Sequence, residues 1–285
     1  MNVGAAVLKK QVSHTDVVVF DLDGTLYADT HHFDYYAERL KERVSKENQS
    51  DFQRDYQLAR ENRHTLKVGC VYDQSYDLVL WQLDNVVREA YEWNGTKLSE
   101  TRLNSVYSHP IVIDQVRFFN IGDLWWVPRI IAVHYGLTHP EADQAFLETR
   151  QYMMGSEFVM KRIPGLQELL EEIQFKKKLV LLTNSPEPDS DAILEKLGLR
   201  DVFSKKIFLG DKPVQTSLHF AEIKKTYAVD YQQIVSVGDN WINEIRPAQL
   251  LGCQTVFIDN YGLGNEMSAD CVVSDLTEAF PFIKS

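Results

Sequence analysis

The sequence predicts an α/β protein: a parallel sheet with helices on both faces, interrupted near its start by a second, mainly helical domain. Three observations carry this. From Pro164 onward, short apolar runs alternate with amphipathic helical patterns, as repeated βα units do. Near the N-terminus, Val17–Phe20 is an unbroken apolar run, the pattern of a parallel strand buried on both faces. Between them, residues 30–162 carry long helical patterns and are too long for a loop. The expected division is therefore 1–29 with 163–285 for the sheet domain and 30–162 for the insertion.

Taken in order, Val17–Phe20 is the first strand, and the chain then leaves the sheet. In the insertion, Phe33–Val44 places Phe33, Tyr36, Ala37, Leu40 and Val44 at helical spacing. Tyr76–Tyr91 carries Leu78, Leu80, Leu83, Val86, Val87 and Ala90 and is expected to be helical as well. Ile111–Phe119 reads as extended; Trp125–Val133 and Glu141–Tyr152 read as helices. After Pro164, Gly165–Gln174 is a helix with Leu166, Leu169, Leu170 and Ile173 on one face. Leu179–Leu182 is a buried strand, and Asp189–Leu197 a helix stopped by Gly198. Lys206–Leu209 is a short strand, Thr216–Tyr227 a helix and Ile234–Val237 a strand. Asn243–Leu251 is a helix closed by Gly252, followed by strands at Thr255–Ile258 and Cys271–Val273.

Bulk properties narrow the function. Lys and Arg number 30 against 41 Asp and Glu, a net charge of −11, which argues against a nucleic-acid polymer as partner. A single phosphate ester remains possible, since one lysine and a metal suffice locally. The three cysteines, Cys70, Cys253 and Cys271, are far apart and form no zinc or disulfide pattern; buried thiols in a reducing compartment are expected. The N-terminal residues 1–14 lack the long apolar run of a signal peptide, and no stretch approaches ~18 consecutive apolar residues. The expected setting is the cytoplasm, away from membranes.

The chemistry concentrates where strands end. Val17–Phe20 runs into Asp21-Leu22-Asp23-Gly24-Thr25, so two carboxylates at i and i+2 stand at the carboxyl edge of a strand, where ligands bind in open α/β sheets. Asp is a poor strand former. Paired carboxylates suit a divalent cation, and a carboxylate can also be a covalent nucleophile. A turn or a calcium loop is the commoner reading of D-x-D-G, but the calcium loop needs Glu at its twelfth position and here that residue is His32. Thr183 ends the Leu179–Leu182 strand, and its hydroxyl is suited to donate to a phosphoryl oxygen; Asn184 adds a donor. Thr-Asn-Ser-Pro is also ordinary turn composition. Lys212, held extended by Pro213, is a point charge suited to phosphate. Gly238-Asp239 follows the Ile234–Val237 strand and presents another acid at the same edge.

Together, VVVFDLDGTLY at Val17–Tyr27, LVLLTNS at Leu179–Ser185, Lys212-Pro213 and IVSVGDNWINEI at Ile234–Ile245 resemble, in order, the four motifs of the haloacid dehalogenase-like (HAD) hydrolases. The resemblance covers residues ~15–30 and ~163–275 and implies a Rossmann-like core with a C1 cap as the insertion, a domain that in this family closes over the active site. It implies Asp21 as the nucleophile that forms an aspartyl phosphate. Asp23 becomes the general acid for the leaving alcohol, then the base for water. Thr183, Asn184 and Lys212 become phosphate contacts. The implied Mg²⁺ ligands are the Asp21 carboxylate, the Asp23 backbone carbonyl and Asp239. The family has a further aspartate five residues after Asp239, where this chain has Glu244, which is counted with the metal residues; glutamate is one methylene longer and either reaches the metal through water, leans on Lys212, or merely starts a helix. The dehalogenase branch lacks the second acid, so Asp23 favours phosphoryl chemistry.

The function expected is Mg²⁺-dependent hydrolysis of a small phosphomonoester, with nucleotides and sugar phosphates foremost. A phosphotransferase of the β-phosphoglucomutase type is the nearest rival, and a non-catalytic ligand-binding protein on the same scaffold is the other. His31 and His32, read as a loop pair, and Trp125, Trp126 and Tyr135 are candidate substrate contacts, though polar surface and core packing are the commoner roles for such residues. Arg54, Arg60 and Arg63 read as a solvated helix face.

Overall fold

The computed structural model describes residues 7–8, 14–27, 29–263 and 269–285. The reading of residues 1–14 as lacking a signal peptide falls almost wholly outside them. The chain divides into two compact units, residues 1–29 with 151–285 and residues 30–150. The return to the first unit thus comes at Gln151, ahead of the expected 162/163 boundary. Among the described residues no helix is long and apolar enough to cross a membrane.

In the first unit, β1 (Val7–Leu8), β2 (Val17–Phe20), β7 (Lys178–Leu182), β8 (Lys205–Ile207), β9 (Ile234–Gly238), β10 (Gln254–Ile258) and β11 (Cys271–Val273) form one sheet. Its order is β1-β11-β10-β9-β2-β7-β8, parallel throughout except for β1 against β11. The central strand β2 pairs with β7 and β9, with Phe20 opposite Leu181 and Val237, which aligns the three strand ends that carry the motifs. Successive strand residues face opposite ways. Val17, Val19, Val180, Leu182 and Ile234 accordingly pack with Phe220, Ile223 and Ala248 on one face, leaving Val18 and Phe20 for the other. The covering helices are α6 (Leu166–Ile173), α7 (Glu187–Leu197), α8 (Thr216–Tyr227) and α9 (Arg246–Leu251), with α10 (Phe280–Lys284) at the C-terminus. In α6 the predicted face, Leu166, Leu169, Leu170 and Ile173, is buried. Gly198 ends α7 at φ 76°, a left-handed cap that glycine adopts without Cβ strain.

The helix expected over Asn243–Leu251 is two pieces. Trp241–Ile245 is a π turn, and α9 begins only at Arg246. Pro247 explains part of this, since it has no N–H to give the Asn243 carbonyl four residues back. The Thr216 hydroxyl supplies that bond instead, at 2.9 Å, and the Ser236 hydroxyl serves the Glu244 carbonyl at 2.9 Å.

The second unit holds α1 (His31–Lys41), α2 (Gln49–Arg60), α3 (Glu100–Val106), α4 (Trp126–His134) and most of α5 (His139–Met154). It also holds a four-stranded antiparallel sheet, ordered β5 (Val86–Glu92), β4 (Leu78–Leu83), β3 (Val71–Asp73), β6 (Phe118–Asn120). Helix remains the larger share of its regular structure, but the helix expected over Tyr76–Tyr91 is the β4–β5 hairpin. Asp84 and Asn85 form its two-residue turn at φ 50° and 65°, with Leu83 facing Val86. Positive φ at both positions is what such a turn demands, and Asp and Asn tolerate it. Extended structure expected at Ile111–Phe119 is confined to β6; before it, the Asp114 carboxylate accepts the N–H groups of Val116, Arg117 and Phe118 at 2.9–3.0 Å and turns the chain. All three cysteines are buried.

Candidate active site

The carboxyl ends of β2, β7 and β9 bring the motif residues of the first unit to one edge of the sheet. Asp21 follows Phe20 directly; its N–H still donates to the Val237 carbonyl at 3.0 Å, so the backbone is held as though the strand continued. Its carboxylate is buried and accepts from Lys212 Nζ at 2.7 Å. Thr25 Oγ1 lies 3.4 Å from the other oxygen. Lys212 Nζ also donates to Glu244 Oε1 at 2.6 Å, so one ammonium sits between two carboxylates, all three buried. Glu244 Oε2 accepts the Asn240 N–H at 2.9 Å, which engages both of its oxygens.

Burial sets the electrostatics of this triad. Desolvation raises the Asp21 carboxyl above its ordinary range, against the pull of Lys212. Glu244 is raised for the same reason. For Lys212, burial works to depress the ammonium, but Asp21 and Glu244 outweigh it and hold the group above its ordinary value.

Lys212 is fixed through its backbone as well. Its N–H donates to Asn184 Oδ1 at 2.7 Å and its carbonyl accepts from Asn184 Nδ2 at 3.0 Å. Asn184, read as a phosphate donor, thus grips the lysine's main chain. Thr183 is buried at the end of β7, where its hydroxyl accepts the Ser185 N–H at 3.1 Å and keeps its own O–H to donate. Asp23 is held by Ser185 Oγ, 2.8 Å from Oδ2, and by the Tyr27 hydroxyl on Oδ1.

Asp239 is buried next to the Asp21 loop. Gly24 lies so close that a Cβ there would stand 2.2 Å from Asp239 Oδ2 and 2.7 Å from its Cγ. The same glycine has φ 79°, so two independent constraints require it. Asn260, just past β10, bridges the contact, donating to the Gly24 carbonyl at 3.1 Å and to Asp239 Oδ2 at 3.4 Å. Gly24→Ala is expected to destabilise by about 1–3 kcal/mol and to cost activity at least ~10-fold, since a ~1 Å misplacement alone costs ~100-fold. Thermal melts and initial rates check it; an alanine protein with native stability and rate would break the link between Gly24 and Asp239.

Asp21, Asp23, Thr183, Asn184, Lys212, Asp239 and Glu244 are thus brought together by three strand ends and the Lys212 loop. Ser185, Tyr27, Thr25 and Asn260 join them and were not singled out in the sequence. The aromatic and histidine candidates belong to the second unit. There His31 and His32 start α1 instead of forming a loop, and His32 is buried with its ring 4.0 Å from Phe33 and 5.0 Å from Trp125. Trp126 packs on Phe119, and the Tyr135 hydroxyl donates to Asp55 at 2.6 Å. Arg60 pairs with Asp34.

Paired acids and a lysine thus stand together at the carboxyl edge of a parallel sheet, the edge at which open α/β folds bind ligands. The family model for haloacid dehalogenase-like hydrolases matches residues 15–252, and the chain belongs to that family. Among known proteins it is similar to the phosphoglycolate phosphatase of Chromobacterium violaceum, 29% identical over 131 residues. That match takes in 43% of this chain and 56% of the relative, about half its length. Among solved structures, the HAD-hydrolase YfnB from Bacillus subtilis, bound to magnesium, aligns with TM-score 0.55 and 13% identity over 96% of this chain and 100% of that one. A predicted phosphoglycolate phosphatase from Haemophilus somnus aligns with TM-score 0.55 and 17% identity over 96% and 100%. At these identities the two structures speak for the fold.

Proposed function

We propose that the protein is a Mg²⁺-dependent phosphatase of small phosphomonoesters, working through an aspartyl phosphate. The observation that carries this reading is the Asp21–Lys212–Glu244 triad, with Asp23 two residues from the nucleophile and held by hydroxyl groups. The family and the phosphoglycolate phosphatase of Chromobacterium violaceum support the same chemistry.

A divalent cation fits this edge on charge. Asp21, Asp23, Asp239 and Glu244 bring four carboxylates against the one ammonium of Lys212, an excess of three negative charges when all are ionised. Among the described residues no three acid, His or Cys side chains already converge as ligands. The set proposed is smaller: the Asp21 and Asp239 carboxylates and the Asp23 carbonyl, which suits Mg²⁺ because it keeps several waters and binds substrate phosphate. When bound, the cation neutralises phosphate charge and lowers the barrier to attack by an anion.

The residues divide the rest of the work. Lys212 binds a phosphoryl oxygen and, with Thr183, orients phosphorus towards Asp21. An Asp21 oxygen attacks phosphorus, the bond to the leaving alkoxide breaks, and Asp23 gives that oxygen its proton. Asp23 then takes a proton from water, which attacks the acyl phosphate, releases inorganic phosphate and restores Asp21. Glu244 keeps Lys212 in place.

The test is a panel of phosphorylated metabolites, including 2-phosphoglycolate, nucleoside monophosphates and sugar phosphates, scored for phosphate release with Mg²⁺ and with EDTA. Turnover with Mg²⁺ and none with EDTA is expected; isomerised sugar phosphate without phosphate release would favour the phosphotransferase. Mg²⁺ at 100 times its Kd is also expected to stabilise the fold by about 2.7 kcal/mol. Asp239→Asn should erase most of that thermal shift and Glu244→Gln should keep it. Equal loss in both would put Glu244 on the cation.

A further inference from the structure

We propose that Tyr27 is a positioning residue for Asp23: its phenol, with the Ser185 hydroxyl, aims the acid that protonates the leaving group. The proposal rests on the reading of Asp23 as general acid and base. Asp23 stands beyond the end of β2, in the turn closed by Thr25 and Leu26 N–H groups on the Leu22 carbonyl, at 3.3 and 3.0 Å. A half-buried aspartate there has no strand to fix its direction. Its orientation comes from two hydroxyl donors, one on each oxygen: Tyr27 on Oδ1 and Ser185, at 2.8 Å, on Oδ2.

Tyr27 is well suited to this. It is 1% exposed, so its ring is locked by packing. Its backbone is bridged to Asp23 on one side and to Arg162, antiparallel, on the other. Arg162 is itself anchored, donating to the Lys196 carbonyl at 3.1 Å and to Gln167 Oε1 at 3.3 Å. The segments that lead out of and back into the first unit are thus tied together at the residue that holds Asp23. The Asp29 carboxylate, which accepts the Lys161 N–H at 2.6 Å, repeats the tie two residues on.

The chemistry of the two partners also matches the role. A group that is first acid and then base must be held both as carboxylic acid and as carboxylate. An amide N–H only donates, so it cannot accept the proton that the acid form carries. A hydroxyl donates to the carboxylate and accepts from the acid, so the same two partners serve both half-reactions.

Tyr27→Phe removes the hydroxyl and keeps the buried ring. The measurement is kcat/KM for p-nitrophenyl phosphate, whose leaving group needs no proton, and for an alkyl phosphate, whose leaving group does. Tyr27→Phe is expected to lower kcat/KM on the alkyl ester ~10–100-fold, part of the ~10²–10⁴ that general acid–base catalysis supplies. On p-nitrophenyl phosphate the loss should be under ~3-fold, with KM changed little for either. Ser185→Ala should show the same asymmetry, and Asp23→Asn a larger one. Equal losses on both substrates, or none, would make Tyr27 a packing residue and overturn the proposal; so would a Tyr27→Phe protein that fails to fold. If Asp23→Asn itself shows no leaving-group dependence, the acid reading fails first. A wild-type protein inactive on every ester would defeat the phosphatase reading instead.

Discussion

Asp21→Asn is expected to abolish turnover. An amide oxygen is a poor nucleophile, and its adduct with phosphorus is not the acyl phosphate that water can resolve. The loss should be chemical and not structural. Asparagine is nearly isosteric, Lys212 keeps its 2.6 Å bond to Glu244, and the Asn oxygen can still accept from Nζ. The substitution also removes one of two buried carboxylates whose desolvation costs stability. The variant should therefore melt within a few degrees of the parent, roughly the span that ~1 kcal/mol shifts a chain of this size. Phosphate release should fall below about a hundredth of the parent rate, since general acid–base help alone is worth ~10²–10⁴. A well-folded variant that retains more than that rules Asp21 out as nucleophile.

The first unit was legible because its signals are local. A four-residue apolar run in a βα series reads as a buried parallel strand, and Val17–Phe20 is one. Thr216–Tyr227 and Cys271–Val273 lie where their periodicity placed them. The Tyr76–Tyr91 segment failed for a physical reason. In β4 the burial pattern runs buried for three residues and then opens, because both faces are covered at one end, so alternation is lost. A register shift between Trp81 and Gln82 leaves an extra residue on β5 and slips its pattern by one. The apolar positions that result imitate a helix. The signal that would have decided it was Asp84-Asn85 between β-rich runs. Ser185 is another kind of omission. It lies 162 residues from Asp23 in sequence, so nothing local links them; only the pairing of β2 with β7 brings the two strand ends together. For Glu244 the sequence leaves three places open, the metal, the lysine or a helix start. The π turn at Trp241–Ile245, which no propensity forecasts, brings it to Lys212.

Lys212→Met should have the largest effect on stability. Methionine keeps much of the volume and apolar stem but leaves Asp21 and Glu244 buried with no counter-charge. Removing one partner of a buried ion pair costs about 3–5 kcal/mol, because an uncompensated charge stays behind. In a chain of this length that lowers the melting temperature on the order of 10 °C. Turnover should be lost as well, since the same ammonium is the proposed phosphate contact. The measurement belongs in EDTA, where no cation replaces the lost charge. Its pH dependence separates electrostatics from packing. Asp21 and Glu244 are already raised by burial, and without Lys212 they rise further. A carboxylate whose folded pKa exceeds its unfolded value costs stability above the folded pKa, and costs nothing below the unfolded value of about 4. Below the parent's folded values both proteins hold these carboxyls protonated and the gap should be flat; it should widen as pH rises through the parent's values, about 8 for Glu244. Adding Glu244→Gln to Lys212→Met removes one of the stranded charges and should recover part of the loss, so the two substitutions should couple by about 1–3 kcal/mol. A gap under about 1 kcal/mol that is flat with pH would mean that the two carboxylates find other partners, and that Lys212 is not what balances this edge of the sheet.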